Sequence, residues 1–217
     1  MKKTNKRGQF ITFEGCDGVG KTTAVDITEE YLKLRGVKYL RTAEPSGTEL
    51  GKIARGLIVD MKVTPKAGLI LLAAARQQHI DQVIEPALAE GVTVICDRFV
   101  DSTFAYQVCG FNCDSEDCDA LQQLVIGDLV PDLSILVSAP VDVALGRLAD
   151  RKHVEPIEKL NAEFHHRVKE GFRQRRINNP WTTIEISSHY GFGMCEQESL
   201  LHFKQHVIQE LYKNNIE

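Results

Sequence analysis

Residues 15–22 read Gly-Cys-Asp-Gly-Val-Gly-Lys-Thr, the pattern G-x-x-x-x-G-K-T. Glycines at this spacing let successive backbone N–H groups turn inward around phosphate oxygens, and a helix that follows points its positive N-terminal end at the same place. In such a loop the Lys21 ammonium reaches the β- and γ-phosphates of a nucleoside triphosphate, and the Thr22 hydroxyl ligates magnesium. The whole stretch Gly15, Cys16, Asp17, Gly18, Val19, Gly20, Lys21, Thr22 and Thr23 is therefore expected to contact that nucleotide. A second acid, Asp97, stands with Arg98 at the end of the apolar run VTVIC. An acid at the C-terminal end of a buried parallel strand lies where open α/β sheets bind ligands, and beside phosphates it helps to hold magnesium. Arginines at 55, 76, 98, 147 and 151 suit a site with many phosphate charges, because the guanidinium presents a rigid fork of donors.

The elements around these residues have the periods that would position them. The apolar run Phe10-Ile11-Thr12-Phe13 reads as the strand before the loop. The segment from Thr23 to Gly36 reads as the helix after it, with Val25, Ile27, Tyr31, Leu32 and Leu34 apolar. Val37 to Thr42 reads as a second strand, and Glu44-Pro45-Ser46-Gly47-Thr48 as a turn. Glu49 to Asp60 reads as a helix that puts Lys52 and Arg55 on one face.

Pro65 to Ala89 carries a helical pattern interrupted at Pro86, with Leu69, Leu72 and Ala73 apolar and Arg76 and His79 on one side. Taken by itself, Arg76 in such a helix reads first as a snorkelling or salt-bridged side chain. Strands are expected at Val92 to Cys96, Leu133 to Ser138 and Trp181 to Ile186. Helices are expected at Asp101 to Cys109, Val141 to Arg151, within the charged stretch Lys152 to Arg176, and at Glu196 to Lys213. Five strands alternating with helices imply an α/β three-layer sandwich whose five-stranded parallel sheet is covered on both faces.

A chain of 217 residues with 43% hydrophobic and 26% charged residues suits one generous domain. Its net charge of -4 supplies no overall basic field, so a nucleic-acid polymer is not expected as a partner. Met1 to Arg7 is basic, but Glu14 ends the following apolar run too early for a signal peptide, and no run approaches the roughly 18 apolar residues of a membrane span. The expectation is a cytoplasmic protein with its six cysteines reduced. Cys109, Cys113 and Cys118 lack C-x2-C pairing and an evident fourth ligand, so they read as loop thiols rather than a zinc site. His165 and His166 lie in a charged helical stretch and read as solvated.

A phosphate loop leaves open a switch, a motor or transfer to a small acceptor, and no Asn-Lys-x-Asp base-reading motif is present. The run Asp97-Arg98-Phe99-Val100-Asp101-Ser102-Thr103-Phe104-Ala105-Tyr106-Gln107 resembles the D-R-[YF]-x-x-S-[ST]-x-A-Y-Q segment of the thymidylate kinase family. Glu44-Pro45-Ser46-Gly47-Thr48 with Leu50-Gly51 and Arg55 is similar to that family's E-P-G-G-T-x-L-G-x-x-x-R stretch. Ala73 to His79 resembles its A-A-x-R-x-Q-H helix, and Pro131-Asp132-Leu133 its lead into the fourth strand. The likeness runs from Phe10 to about Leu211. It implies the P-loop nucleoside triphosphate hydrolase fold in one domain over 1–217, with a lid at about 147–160. It implies transfer of the γ-phosphoryl of ATP to dTMP with Mg2+, and a homodimer.

The resemblance also implies roles for single residues. Lys21, Asp97, Arg98 and a lid arginine act in catalysis, with Thr22 and Asp97 at the metal and Arg98 bridging donor and acceptor phosphates. Arg55 grips the acceptor phosphate, Arg76 and Gln107 bond the base, Tyr106 packs under the sugar and Asp17 meets its 3′-hydroxyl. Glu44, Leu72 and Ser102 belong to the same acceptor stretch. The phosphate loop carries Gly18 where some members have arginine, so the lid must supply it from Arg147, Arg151 or Lys152, with Arg151 first.

Departures from the family pattern loosen the acceptor's identity. Leu72 replaces a Phe that stacks on the base, which weakens that contact by about 1 kcal/mol. Ala43 replaces an Arg, with Arg41 nearby, and the lid's D-R-I-E reads Glu155-Pro156-Ile157-Glu158. The alternative is a deoxynucleoside monophosphate kinase of different or broader base preference. A nucleotide-binding regulator without turnover is disfavoured by Lys21, Asp97 and Arg98.

Overall fold

In the computed structural model, residues 6–152, 154–178, 181, 183–189 and 196–216 are described; the first five residues, His153 in the expected lid, and Thr182 in the expected last strand lie outside them. β1 (Phe10–Glu14) is buried along its whole length, and β3 (Thr93–Asp97) and β4 (Leu133–Ser138) nearly so. Strands with no polar face belong in the middle of a parallel sheet covered on both sides. β2 (Tyr39–Ala43) and β5 (Thr183–Ser187) are partly exposed and take the edges. The order is β2-β3-β1-β4-β5, all parallel, with Phe13 opposite Asp97 and Ile135. The expected sheet is thus present, with β1 at its centre.

Helices cover the sheet. Ile11, Phe13, Ile95 and Ile135 join a cluster with Val25 and Leu32 of α1 (Lys21–Leu34) and Val207 and Leu211 of α9 (Glu196–Lys213). Phe10, Val94 and Cys96 join a second cluster with Ile80, Ile84, Leu88 and Phe99. A fully buried side chain of this size contributes about 1.5–3 kcal/mol, so these clusters hold the strand ends firmly. Among the described residues no helix is long and apolar enough to cross a membrane.

Several helices depart from the sequence pattern. The helix α2 (Glu49–Val59) starts from Thr48, whose side chain accepts a bond from Gly51 N–H. Pro86 does not interrupt its helical run. α3 (Pro65–His79) passes through a π-helical turn, Ile80–Ile84, into α4 (Glu85–Ala89), where the proline stands in the first turn and needs no N–H donor. The expected helix over 101–109 is a short α5 (Val100–Thr103) followed by a π-helical segment, Phe104–Gly110.

An unforeseen α6 (Ser115–Ile126) begins at Asp114, whose side chain accepts from the N–H groups of Glu116 and Asp117. After α7 (Val141–Ala149), the charged stretch is not one helix. Pro156 opens a 3-10 turn, Pro156–Lys159, and α8 (Ala162–Asn178) starts only beyond Asn161, which caps Phe164 N–H.

Candidate active site

The loop between β1 and α1 wraps back onto the end of β4. Gly15 has φ +136, and a Cβ there would lie 2.2 Å from Val137 O. Gly18, at φ +78, is abutted by α7: a Cβ would sit 2.3 Å from Ala144 O. No side chain fits at that position, which accounts physically for a loop without an arginine. Lys21 is the first residue of α1 and donates to Cys16 O at 2.7 Å. Burial, reinforced by the Arg98 charge, lowers its ammonium to about 8 despite Asp17 at 4.0 Å. Burial pushes the Cys16 thiol up to about 11.

Beside the loop, Arg98 adopts φ 72 at the end of β3 and turns its guanidinium inward. Nη1 donates to Gly15 O and Ser102 Oγ, both at 3.0 Å, and Nη2 donates to Asp17 Oδ1. The Tyr106 hydroxyl donates to Asp17 Oδ2, so Asp17 is clamped from two sides. Burial alone would raise the Asp17 carboxyl, but the Arg98 and Lys21 charges and these hydrogen bonds hold it well below the usual carboxylate range. Burial and the adjacent Asp17 charge push the Tyr106 phenol well above its ordinary value.

Glu14 anchors the same strand end. It accepts from Phe99 N–H at 2.8 Å and from Ser102 Oγ at 2.5 Å, and burial, together with Asp101, raises its carboxyl to about 8. In the sequence Glu14 shows only as the end of an apolar run; a carboxylate closing an otherwise apolar strand is the one signal of its role. Ser102, expected among acceptor contacts, is held here between Glu14 and Arg98.

A cavity of about 120 Å³ opens from this network, and Asp17, Glu44, Arg55, Leu72, Arg76, Arg98, Ser102, Tyr106 and Gln107 all line it. Every residue expected around the acceptor is thus brought to one pocket. At its inner end Arg76 is also the salt-bridged side chain that its helix suggested. Nε donates to Glu44 Oε2 at 2.7 Å, and Nη2 donates to Phe99 O at 3.0 Å and Thr103 Oγ1 at 2.9 Å, over the Phe99 ring. Nη1 is left as the nitrogen without such a bond among the described residues. Glu44 brings its other oxygen within 3.2 Å of His79 Nδ1, and His79 Nε2 meets Thr42 Oγ1 at 2.7 Å. Glu44 is therefore occupied by the protein itself.

A second cavity, of about 420 Å³, lies over the loop and is lined by Lys21, Thr22, Asp97, Arg98, Arg147 and Arg151, among others. Arg147 donates to Ser188 Oγ at 3.0 Å, Ser188 O at 3.2 Å and Gly18 O at 3.4 Å. Arg151 donates to Glu158 Oε1 at 3.0 Å, and Arg55 pairs with Glu155 at 2.7 Å. Glu155 and Glu158, which the sequence shows only as a departure in the lid motif, line this cavity, and Ser188 is the partner that holds Arg147 beside it. Magnesium suits the donors present: Asp97 Oδ1 is buried without a hydrogen-bond partner among the described residues, and Thr22 is exposed to the same cavity.

Cys16, Cys96, Cys109, Cys113 and Cys118 are free thiols, while Cys195 lies outside the described residues; no metal-holding cluster occurs among the described residues. His165 is not solvated. It is buried on α8, with Nε2 3.3 Å from Glu158 O, because the helix turns it under the Pro156–Lys159 turn while His166 faces out.

A sequence model of the thymidylate kinase family matches residues 13–191. The thymidylate kinase of Methylobacillus flagellatus is 40% identical over 174 residues, which cover 80% of this chain and 86% of that one. That of Chromobacterium violaceum is 37% identical over 207 residues, covering 94% and 98% respectively. The crystal structure of thymidylate kinase from Ehrlichia chaffeensis superposes with a TM-score of 0.76 at 32% identity, covering 94% of this chain and 99% of that one.

Proposed function

The chain belongs to the thymidylate kinase family, a phosphotransferase passing the γ-phosphoryl of ATP to dTMP, and we propose that it does so between the two cavities described, with Arg98 at their junction. The carrying observation is that Arg98 lines both cavities while bonded to the phosphate loop at Gly15 O. ATP lies over Gly15 to Thr23, where inward N–H groups and Lys21 neutralise its phosphates. Asp97 and Thr22 hold magnesium, which supplies charge neutralisation to the transferring group when bound. dTMP lies against Leu72, Tyr106 and Gln107, with Arg76 Nη1 toward the base and Asp17 toward the sugar. Arg55 takes its phosphate, and Arg98 spans the two phosphates.

The additional arginine comes from a lid over 147–160, within the single domain 1–217. Arg151 suits this role better than Arg147, because its side chain is 49% exposed and paired to Glu158, whereas Arg147 is tied to Ser188 and Gly18. A homodimer is supported by exposed apolar side chains on α3 and on the two helices packed against it: Ile70 on α3, Ile53 on α2 and Leu124 on α6.

The test is ADP release with dTMP. Lys21→Ala should lower turnover by about 100- to 1,000-fold at an unchanged melting temperature, and turnover near the wild-type rate would refute the donor site. The same assay with dUMP, dCMP, dGMP and UMP as acceptors should rank dTMP first.

A further inference from the structure

The phosphate end of the acceptor pocket is filled by the protein itself. Glu155, just before the Pro156–Lys159 turn, brings both carboxylate oxygens to Arg55 Nη2, at 2.7 and 2.8 Å. To a guanidinium, a carboxylate and a phosphate offer the same kind of acceptor oxygens. Arg55 and Glu155 line both cavities, so their contact sits where donor and acceptor phosphates must meet. The acceptor cavity is only about 120 Å³, against roughly 300–1,000 Å³ for most ligand sites, and Glu155 and Ile157 form part of its wall.

The same turn holds a second arginine. Glu155 N–H donates to Glu158 Oε2 at 2.9 Å, and Glu158 Oε1 accepts from Arg151 at 3.0 Å. Capping thus locks the two acids into one unit, with α2 gripped at one end and the exit of α7 at the other.

Resting on the reading that Arg55 grips the acceptor phosphate, we propose that Glu155 is a carboxylate stand-in for that phosphate, displaced when dTMP binds, and that its displacement frees the Pro156–Lys159 turn and Arg151 to close over the donor. The exposure of the pair favours displacement: the side chains are 42% and 21% exposed, so water and salt weaken the contact and it opens at little cost. A phosphate monoester carries close to two charges against one for Glu155, so it wins the fork and repels the released carboxylate. Arg151 is held back until the acceptor is seated, which restrains idle hydrolysis of ATP.

The experiment uses the full chain carrying Glu155→Gln, with folding checked by its melting curve. dTMP is titrated calorimetrically without donor, and ADP release is followed with ATP and magnesium but no acceptor. The dTMP dissociation constant should fall about two- to fivefold, as expected when an exposed ion pair stops competing, and acceptor-independent ADP release should rise. Unchanged or weaker dTMP binding overturns the stand-in, and tighter binding with no rise in idle ADP release overturns its link to Arg151. Arg55→Ala is measured alongside and should lose dTMP affinity. If it binds dTMP normally, the acceptor-phosphate assignment itself fails; if it loses affinity while Glu155→Gln changes nothing, only the stand-in fails.

Discussion

Two arginine–carboxylate pairs, both at 2.7 Å, line the pocket proposed for the acceptor, and they behave as different objects. Arg76–Glu44 has both side chains 4% exposed and belongs to a network through Phe99 O, Thr103, His79 and Thr42. Arg55–Glu155 is open to water and joins α2 to a short turn. Removing one partner of a buried pair leaves an uncompensated charge in a low dielectric, whereas an exposed partner is simply resolvated. Distance alone therefore says little; burial makes one pair a fixture of the pocket's inner end, and exposure makes the other the pair that we propose a ligand displaces.

The largest expected effect tests that contrast directly. Arg76→Ala should destabilise the protein by about 3–5 kcal/mol, a fall of roughly 6–20 °C in melting temperature for a domain of this size. A wild-type melting curve for this variant would break the comparison.

Next comes the pH dependence of the buried end. Glu14 lies on the same network through Phe99, and its carboxyl is raised from 4.5 to about 8 by burial and by Asp101. Between those values the folded chain keeps a proton that the unfolded chain has lost. Stability should therefore fall as pH rises from 4.5 to 8, by at most about 1.4 kcal/mol per pH unit from this group. Glu14→Gln should flatten that slope in urea titrations at several pH values; an unaltered slope would remove Glu14 from the network. The smallest effect on stability belongs to Arg55→Ala, at most about 1 kcal/mol by the same titration, and a loss as large as that of Arg76→Ala would erase the distinction between the two ends.

Much of the fold was legible because it is written locally. The strand Leu133–Ser138 and the helix Glu196–Lys213 coincide with their hydrophobic patterns. The misreadings have local causes of another kind. Pro86 was tolerated because a π-helical turn placed it in a first helical turn, and α6 was missed because its sequence, SEDCDALQQLVI, opens on polar residues whose role is capping. The stretch 152–176 reads as helical from the spacing of Ile157, Leu160, Phe164, Val168 and Phe172, but the first two of these lie in and just after a 3-10 turn, and the helix itself starts only at Ala162.

For the site, the sequence alone determined the phosphate loop with its lysine and hydroxyl, and the Asp97-Arg98 pair at a strand end. These are contiguous motifs whose chemistry follows from residue type and spacing. Tertiary structure decided which charges answer one another: Arg55 with Glu155, a hundred residues apart, Arg98 with Asp17, and Glu14 with Ser102. It also decided that Gly18 has no room for a side chain and that Arg76 is walled in while Arg55 is not. The physical reason is that a side chain's charge is set by its type, whereas the cost of carrying that charge depends on burial and partners that only the packed chain supplies.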